Sequence, residues 1–305
     1  MGAETPIRFV VGSRQVLAVP RRLVTVAHSL EQLVAGTCRE LPGLTNDADG
    51  YRVLSAPAEA AERLIAHHSA MIPGGIQRYR RHYIAMDGGF ESYMAGFSGK
   101  TRSTLRRKLR RFAKADGGAL DLREYRGTAG FDAFMEAVLP LSRTTYQGRH
   151  LGAGLPEAAA EQRRLRDAAT TDRLRAFILF LGGKPASYLC LPVEGDTLVY
   201  AWLGYRPDTA HLSPGTVLQL AALERLFAER RFRFFDFTEG DGAHKALFGT
   251  GSIEAASFYL LRGRAANRLL LGALEAFDGS VARAKRMAGR TGALAGARRL
   301  LSASA

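Results

Sequence analysis

The sequence predicts an α+β protein whose main domain is a mixed sheet flanked by helices, with a second, smaller α/β domain before it. Two observations support the main domain: from residue 119 the hydrophobic period alternates between strand-like and helical segments, and three strand-like segments follow one another across short glycine turns. A third is that 305 residues exceed the roughly 100 to 200 residues of one domain. We expect domains at 1–97 and 98–262, then a basic helix with a loose tail at 263–305.

The first half of the main domain reads as a strand, two helices and a three-stranded meander. The predicted segments are a strand at 120–125, helices at 129–149 and 156–170, and strands at 174–183, 184–193 and 196–206. The meander strands are joined by Gly182-Gly183 and Gly195-Asp196, which are dipeptides that favour hairpin turns. The three strands should therefore pair antiparallel.

The second half of the main domain begins with Ser213-Pro214-Gly215-Thr216, which opens an amphipathic helix that continues to Arg230. A buried strand at 231–238, a short helix from Ala243 to Phe248 and a last strand at 254–262 follow. The long helix is a crossover connection, so the strands at 196–206 and 231–238 should run parallel.

The first hundred residues contain strand-like segments within 7–20, 50–57 and 77–87, and a helical segment at 58–71. After residue 262 a helical stripe is formed by Leu270, Leu274, Phe277 and Val281. These patterns predict an α/β domain at the N-terminus and one long helix near the C-terminus.

The net charge of +14 is concentrated in two segments. Residues 100–114 carry eight basic residues and no acidic one, and residues 262–299 carry nine basic residues against two acidic ones. A solvated helix face explains the first segment, and so does an anion site for a nucleotide, an acidic substrate or tRNA.

The composition excludes several classes of protein. Cys38 and Cys190 are the two cysteines and have no metal-ligand spacing, so we expect neither a disulfide framework nor a metal site. No segment has the length and apolarity of a membrane span or of a secretory leader. We therefore expect a cytoplasmic protein.

Three stretches carry a family resemblance: "FSGKTRSTLRRKLRRFAKADGG" (97–118), "LSPGTVLQLAALERLFAERRFRFFDFTEGD" (212–241) and "DFTEGDGAHKALFG" (236–249). Together with the element order they resemble the GNAT acyltransferases, and more narrowly the cellulose-biosynthesis acetyltransferases of the CelD/BcsL type, which are akin to the Fem aminoacyltransferases. The resemblance covers about residues 90–262. It implies a GNAT-like sheet, a degenerate copy of which would suit the N-terminal domain, and an acyl transfer in polysaccharide or cell-envelope biosynthesis.

The resemblance also implies where the acyl donor, acetyl-CoA or another acyl-CoA, would bind. The strands at 196–206 and 231–238 part to leave a notch, in which backbone donors around Leu203 and Gly204 would hold the pantetheine arm. Ser213, Gly215 and Thr216 would hold the pyrophosphate at the start of the long helix, where free N–H groups and the helix dipole favour anions. The alternative is that this string only caps a helix.

The catalytic candidates follow the strand at 231–238. Asp236, Glu239, Asp241 and His244 are candidates for the general base, and an imidazole titrates closest to physiological pH. Lys245 would bind an acidic group of a substrate or pair with Asp236. Asp236 also suits a structural cap.

On the acceptor side, Tyr205 is a candidate acid for the leaving thiolate, although a strand tyrosine also suits the core. Arg143, Tyr146 and Arg149 would face an acceptor channel, and an ordinary helix end is the alternative explanation. The acceptor itself, a small molecule or a glycan precursor with an amine or hydroxyl, and the oligomeric state stay open.

The sequence is also compatible with two other functions. Residues 206–216 hold one glycine where GNAT enzymes have Gln/Arg-x-x-Gly-x-Gly/Ala, a departure shared by relatives that use aminoacyl-tRNA, so a Fem-like peptidyltransferase is the second hypothesis. The third is a non-catalytic protein that binds nucleic acid or an anionic membrane surface through its basic segments.

Overall fold

The computed structural model describes residues 3–12, 14–145, 154–240 and 242–290. In chain order the strands are β1 (Ala3–Val11), β2 (Arg14–Ala27), β3 (Gly50–Pro57), β4 (Met71–Ala85), β5 (Leu122–Tyr125), β6 (Leu174–Leu181), β7 (Lys184–Glu194), β8 (Thr197–Val199), β9 (Trp202–Tyr205), β10 (Phe234–Asp236) and β11 (Gly251–Arg262). The helices are α1 (Leu30–Val34), α2 (Ala58–His67), α3 (Phe90–Ala95), α4 (Gly99–Ala115), α5 (Gly127–Thr144), α6 (Ala159–Thr170), α7 (Pro214–Glu229), α8 (Ala243–Phe248) and α9 (Ala265–Arg290), with a 3-10 turn at Pro207–Leu212.

The chain forms two compact units, and their boundaries differ from the expected ones. One unit comprises residues 1–79 and 254–305, and the other comprises residues 80–253. The C-terminal segment joins the N-terminal unit because β11 pairs antiparallel with β3, with Val53 opposite Phe258. Since that pairing links segments about 200 residues apart, the local patterns of the sequence could not reveal it.

In the N-terminal unit, the antiparallel pair β1–β2 is followed by β3, which pairs parallel with β2. Helix α9 packs on this sheet through Leu270 and Leu274 of its predicted stripe, which join a buried cluster with Ile7, and Leu271 beside them joins the same cluster. The ring of Phe277 meets that of Phe9 at a centroid distance of 5.4 Å. The amphipathic pattern of α9 is thus explained by packing within this unit.

In the second unit, the sheet order is β4–β10–β8–β7–β6–β5, and β9 also pairs with β7. The meander of β6, β7 and the β8–β9 segment is antiparallel, and β10 runs parallel to β8, as predicted. Helices α3, α4 and α7 cover one face, where they share a core with Phe177 and Leu189. Helices α5 and α6 cover the other face around Ile178 and Tyr188. The predicted mixed sheet flanked by helices is confirmed.

Two elements of this unit differ from the prediction in extent. The strand expected at 196–206 is interrupted between Val199 and Trp202, and the strand expected at 231–238 pairs only over Phe234–Asp236. The gap after Val199 and the end of β10 at Asp236 lie at the point where β8 and β10 stop pairing. Helix α7 was expected to be amphipathic, but ten of its sixteen residues are buried because the sheet, α3 and α4 surround it.

Within the described residues, no helix combines the length and apolarity that a bilayer crossing requires. The same residues contain no group of three or more histidine, cysteine, aspartate or glutamate side chains placed to hold a metal ion.

Candidate active site

The central feature of the second unit is a strand that loses one of its neighbours. β8 pairs parallel with β10 up to Val199 opposite Asp236, and the amide of Tyr200 then donates to the carbonyl of Asp236 at 2.9 Å. Beyond this bond the chain continues as β9, whose strand partner among the described residues is β7 alone. One edge of β9 is therefore open, at the place where the sequence predicted a notch.

The register shows which backbone groups of β9 face the open edge. The amide of Arg206 donates to the carbonyl of Ala186 at 2.8 Å, so this pair is of the hydrogen-bonded type. Antiparallel pairs alternate, which makes Gly204 with Tyr188 the next hydrogen-bonded pair. The backbone of Leu203 thus faces the open edge, whereas Gly204 turns its amide to β7. Tyr205 presents its backbone at the open edge instead.

Packing against the Tyr188 ring of β7 requires a glycine at position 204. A Cβ atom at this position would lie 2.5 Å from the nearest ring atom of Tyr188, which is fully buried. The hydroxyl of Tyr188 donates to the Ser142 hydroxyl at 3.0 Å, so the ring is held in place. Any side chain at Gly204 would have to displace that ring or the strand.

The start of α7 lies beside the open edge of β9. A Cβ atom at Gly215 would be 3.2 Å from a methyl of Leu203 and 3.6 Å from the ring of Tyr205. Ser213 adopts a left-handed backbone with φ of 57°, and within the described structure its side chain makes no capping bond. The first-turn amides of Gly215 and Thr216 have no intrahelical acceptor, as in every helix. A cluster of backbone donors therefore meets an open strand edge.

His244 lies in the first turn of α8. Its Nε2 is 2.7 Å from Oε1 of Gln219, a fully buried side chain of α7, and its ring lies 4.8 Å from that of Phe248. Partial burial of the ring holds the pKa of His244 below its usual value, and the ammonium groups of Lys108 and Lys245 lower it further. The imidazole is thus neutral at physiological pH. In the tautomer whose Nε2–H donates to Oε1 of Gln219, Nδ1 is the proton acceptor.

Lys245 follows His244 in α8 and reaches back over the preceding turn. Its ammonium donates to the backbone carbonyl of Glu239. Burial lowers the pKa of Lys245, and the carboxylates of Asp236 and Glu239 oppose that effect. The Glu239 residue itself is exposed. Lys245 therefore holds the loop that leads into α8.

Asp236 is held by a buried arginine that the sequence did not single out. Nε of Arg81 donates to Oδ1 of Asp236 at 3.0 Å and a second guanidinium nitrogen donates to Oδ2, while the amide of Thr238 donates to Oδ1 at 2.8 Å. Both side chains are buried. Arg81 takes the place expected for Lys245, and both carboxylate oxygens already accept hydrogen bonds. This geometry favours the structural role of Asp236 over the role of general base.

Of the remaining candidate residues, the structure describes Arg143 and Tyr205. Arg143 forms two hydrogen bonds, of 3.0 and 2.9 Å, with the carboxylate of Glu157, and both side chains are exposed. Tyr205 is half-buried, with its ring near Gly215. Tyr146, Arg149 and Asp241 lie outside the described residues.

Three site residues were missed by sequence reasoning. Gln219 is a single polar residue in a buried run of α7, and that isolation was the available signal. Lys108 comes three residues after the buried Leu105 and four before the buried Phe112, so it lies on the packed face of the basic helix. Arg81 could be placed only by its long-range partner.

A family comparison agrees with this geometry. Residues 99–246 match the family model described as an acetyltransferase (GNAT) domain. The matched residues all lie within the second unit, so this unit is similar in sequence to an acetyltransferase (GNAT) domain. A search of curated protein sequences finds no match.

One solved structure has a similar fold at a TM-score of 0.50, and two others have lower scores. The chain is similar to the C-terminal domain (DUF2156) of a protein from Agrobacterium fabrum described as a lysylphosphatidylglycerol synthetase, with 13% identity over 75% of this chain and 73% of that chain, at a TM-score of 0.50. FemX has 12% identity over 71% and 73% of the two chains, at a TM-score of 0.48. L-PGS from Bacillus licheniformis has 11% identity over 74% and 72%, at a TM-score of 0.47.

Proposed function

We propose that this protein is an acyltransferase that moves an acyl group, acetyl being the simplest, from acyl-CoA to a hydroxyl or amine acceptor. The observation that carries the proposal is the open edge of β9 beside the start of α7. In this proposal the backbone of Leu203 and Tyr205 pairs with the amides of the pantetheine arm. The first-turn amides of Gly215 and Thr216, with Ser213 beside them, bind the pyrophosphate.

His244 is the general base of the proposed reaction. Its Nδ1 accepts the proton of the acceptor group, the acceptor oxygen or nitrogen bonds to the acyl carbon, and the carbon–sulfur bond of the thioester breaks. The leaving thiolate takes a proton from the hydroxyl of Tyr205, which recovers one from solvent. Gln219 fixes the imidazole so that Nδ1 is the free nitrogen. Asp241 and Glu239 are retained as alternative bases, since they follow the same strand.

The finer assignment is to the CelD/BcsL branch, with a cytoplasmic role in polysaccharide or cell-envelope biosynthesis. It is supported by the stretch from Asp236 to Gly249 and by the basic helix α4, both of which resemble that branch. In this assignment Arg143, Tyr146 and Arg149 line the path of the acceptor.

A second function is a Fem-like transfer from aminoacyl-tRNA. It is favoured by the exposed guanidinium groups of Arg106, Arg107, Arg110 and Arg111 on α4, which suit a polyanion. The same groups, with the basic residues of α9, would serve a non-catalytic protein on nucleic acid or an anionic membrane surface.

One experiment separates these functions. The purified protein is incubated with a series of acyl-CoAs and with amine and saccharide acceptors, and melting temperature and free-thiol release are recorded. We expect acyl-CoA to raise the melting temperature, and thiol release to require His244 but not the exposed His67, which serves as the control in His67→Ala. Salt-sensitive tRNA binding without any effect of acyl-CoA would support the second function instead.

A further inference from the structure

A cavity of about 450 Å³ lies on the α6 side of the sheet in the second unit. Its floor is apolar and contains Trp202, Leu165 and Pro192, and its rim carries three carboxylates and two guanidinium groups. The rim residues are Glu161, Asp167, Glu194, Arg164 and Arg173. None of these residues belongs to the proposed base or donor site.

Trp202 connects this cavity with the notch. It is the first residue of β9, two positions after the last bond to β10. Since side chains alternate along a strand, the indole lies on the opposite face from Leu203, whose methyl faces α7. A ligand on the indole would therefore lie across the strand from the side where the donor is proposed to bind.

The polar groups of the cavity are available to a ligand. Trp202 is half-buried, and in the described part of the chain its indole N–H has no hydrogen-bond partner, although buried indoles usually find one. Exposed side chains surround it, namely Glu161, Arg164, Asp167 and Glu194, and Nε of Arg173 donates to the Thr171 hydroxyl at 3.1 Å. Donors and acceptors of both signs thus surround one flat aromatic ring.

The mixture of groups selects the class of ligand. Three carboxylates against two guanidinium groups give no excess of positive charge, which disfavours a phosphate or nucleotide. A rim of charged groups disfavours a purely aliphatic ligand because their hydration would be lost. A neutral saccharide satisfies both conditions: its C–H face packs on the indole, and its hydroxyls donate to carboxylates and accept from guanidinium groups.

We propose that this cavity binds a neutral saccharide. This site is separate from the proposed acyl transfer, because the cavity lies on the α6 face of the sheet whereas His244 contacts Gln219 of α7 on the other face.

The test uses the fact that Trp202 is the chain's sole tryptophan. Intrinsic fluorescence is recorded while cellobiose, maltose, lactose and a mannose disaccharide are added up to about 20 mM, a range for weak sites. We expect a saturable change with at least one of the four. Calorimetry on Trp202→Ala and Glu194→Gln should then show about tenfold weaker binding. Glu136→Gln, an exposed control on α5, should bind as the wild type does.

Two outcomes overturn the proposal: fluorescence that stays flat with all four sugars, or binding that is equal in Trp202→Ala. Acetyl-CoA binding, measured on the same samples by melting temperature, separates this failure from that of the proposed function. If acetyl-CoA still binds, only the saccharide site is lost, whereas absence of acetyl-CoA binding counts against the proposed donor site.

Discussion

Gln219 Oε1 lies 2.7 Å from Nε2 of His244, so a fully buried amide on α7 holds the imidazole in the candidate site. This contact orients the ring and leaves Nδ1 to accept a proton. Replacing His244 with alanine should therefore lower kcat by about 100- to 10,000-fold, the usual contribution of a positioned base. Steady-state kinetics with a fixed acyl-CoA measures this loss of kcat. A loss below about tenfold would mean that a residue other than His244 is the general base.

The amide of Gln219 should act only through His244. Gln219→Glu places a carboxylate beside Nε2, which stabilises the imidazolium and raises the pKa of His244. The acid limb of the kcat profile should then move to higher pH, with little change in KM for acyl-CoA. NMR titration of the His244 ring protons reports the same shift. An unchanged pKa would mean that the contact does not form in solution.

Lys108 lowers the pKa of His244 through its ammonium charge. Lys108→Gln removes that charge, so the pKa of His244 should rise toward its usual value. Because the base must be neutral, the acid limb of activity should also move to higher pH. Lys114→Gln is the matched control, since Lys114 is an exposed lysine of the same helix. Equal profiles in the two variants would contradict this electrostatic role.

The pair of Arg81 and Asp236 should stabilise the fold more than an exposed pair does. Asp236→Asn removes the charge facing a buried guanidinium, which should lower the free energy of unfolding by about 3–5 kcal/mol. Urea denaturation measures the loss. Glu157→Gln, which breaks the exposed pair with Arg143, should leave the midpoint nearly unchanged. A similarly small loss of stability in both variants would contradict the structural role of Asp236.

Gly204 should tolerate no side chain. Gly204→Ala forces a methyl against the ring of Tyr188 and should cost about 1–3 kcal/mol of stability, the range for overpacking. Gly99→Ala is the control, since a Cβ atom at Gly99 meets nothing within 4 Å. Equal melting temperatures in the two variants would show that the Tyr188 ring moves freely.

Local patterns predicted the order of elements in the second unit, and the short helix α8 begins and ends at the predicted residues. They succeeded because hydrophobic spacing and glycine turns are set by nearby residues. The pairing of β11 with β3 and of Arg81 with Asp236 joins segments distant in the sequence, so neither could be predicted. Which backbone groups of Leu203 and Gly204 face the open edge also could not be predicted, because this depends on hydrogen-bond register, which a one-residue slip reverses.

The most direct test of the proposed donor site is amide hydrogen exchange, detected by NMR, with and without saturating acetyl-CoA. The amides of Leu203 and Tyr205 on the open edge, and those of Gly215 and Thr216 at the start of α7, should gain protection when the donor binds. The amide of Leu274 in α9 should exchange at the same rate in both states. If acetyl-CoA leaves the four site amides unprotected, or protects another region instead, the donor does not bind in the notch beside β9.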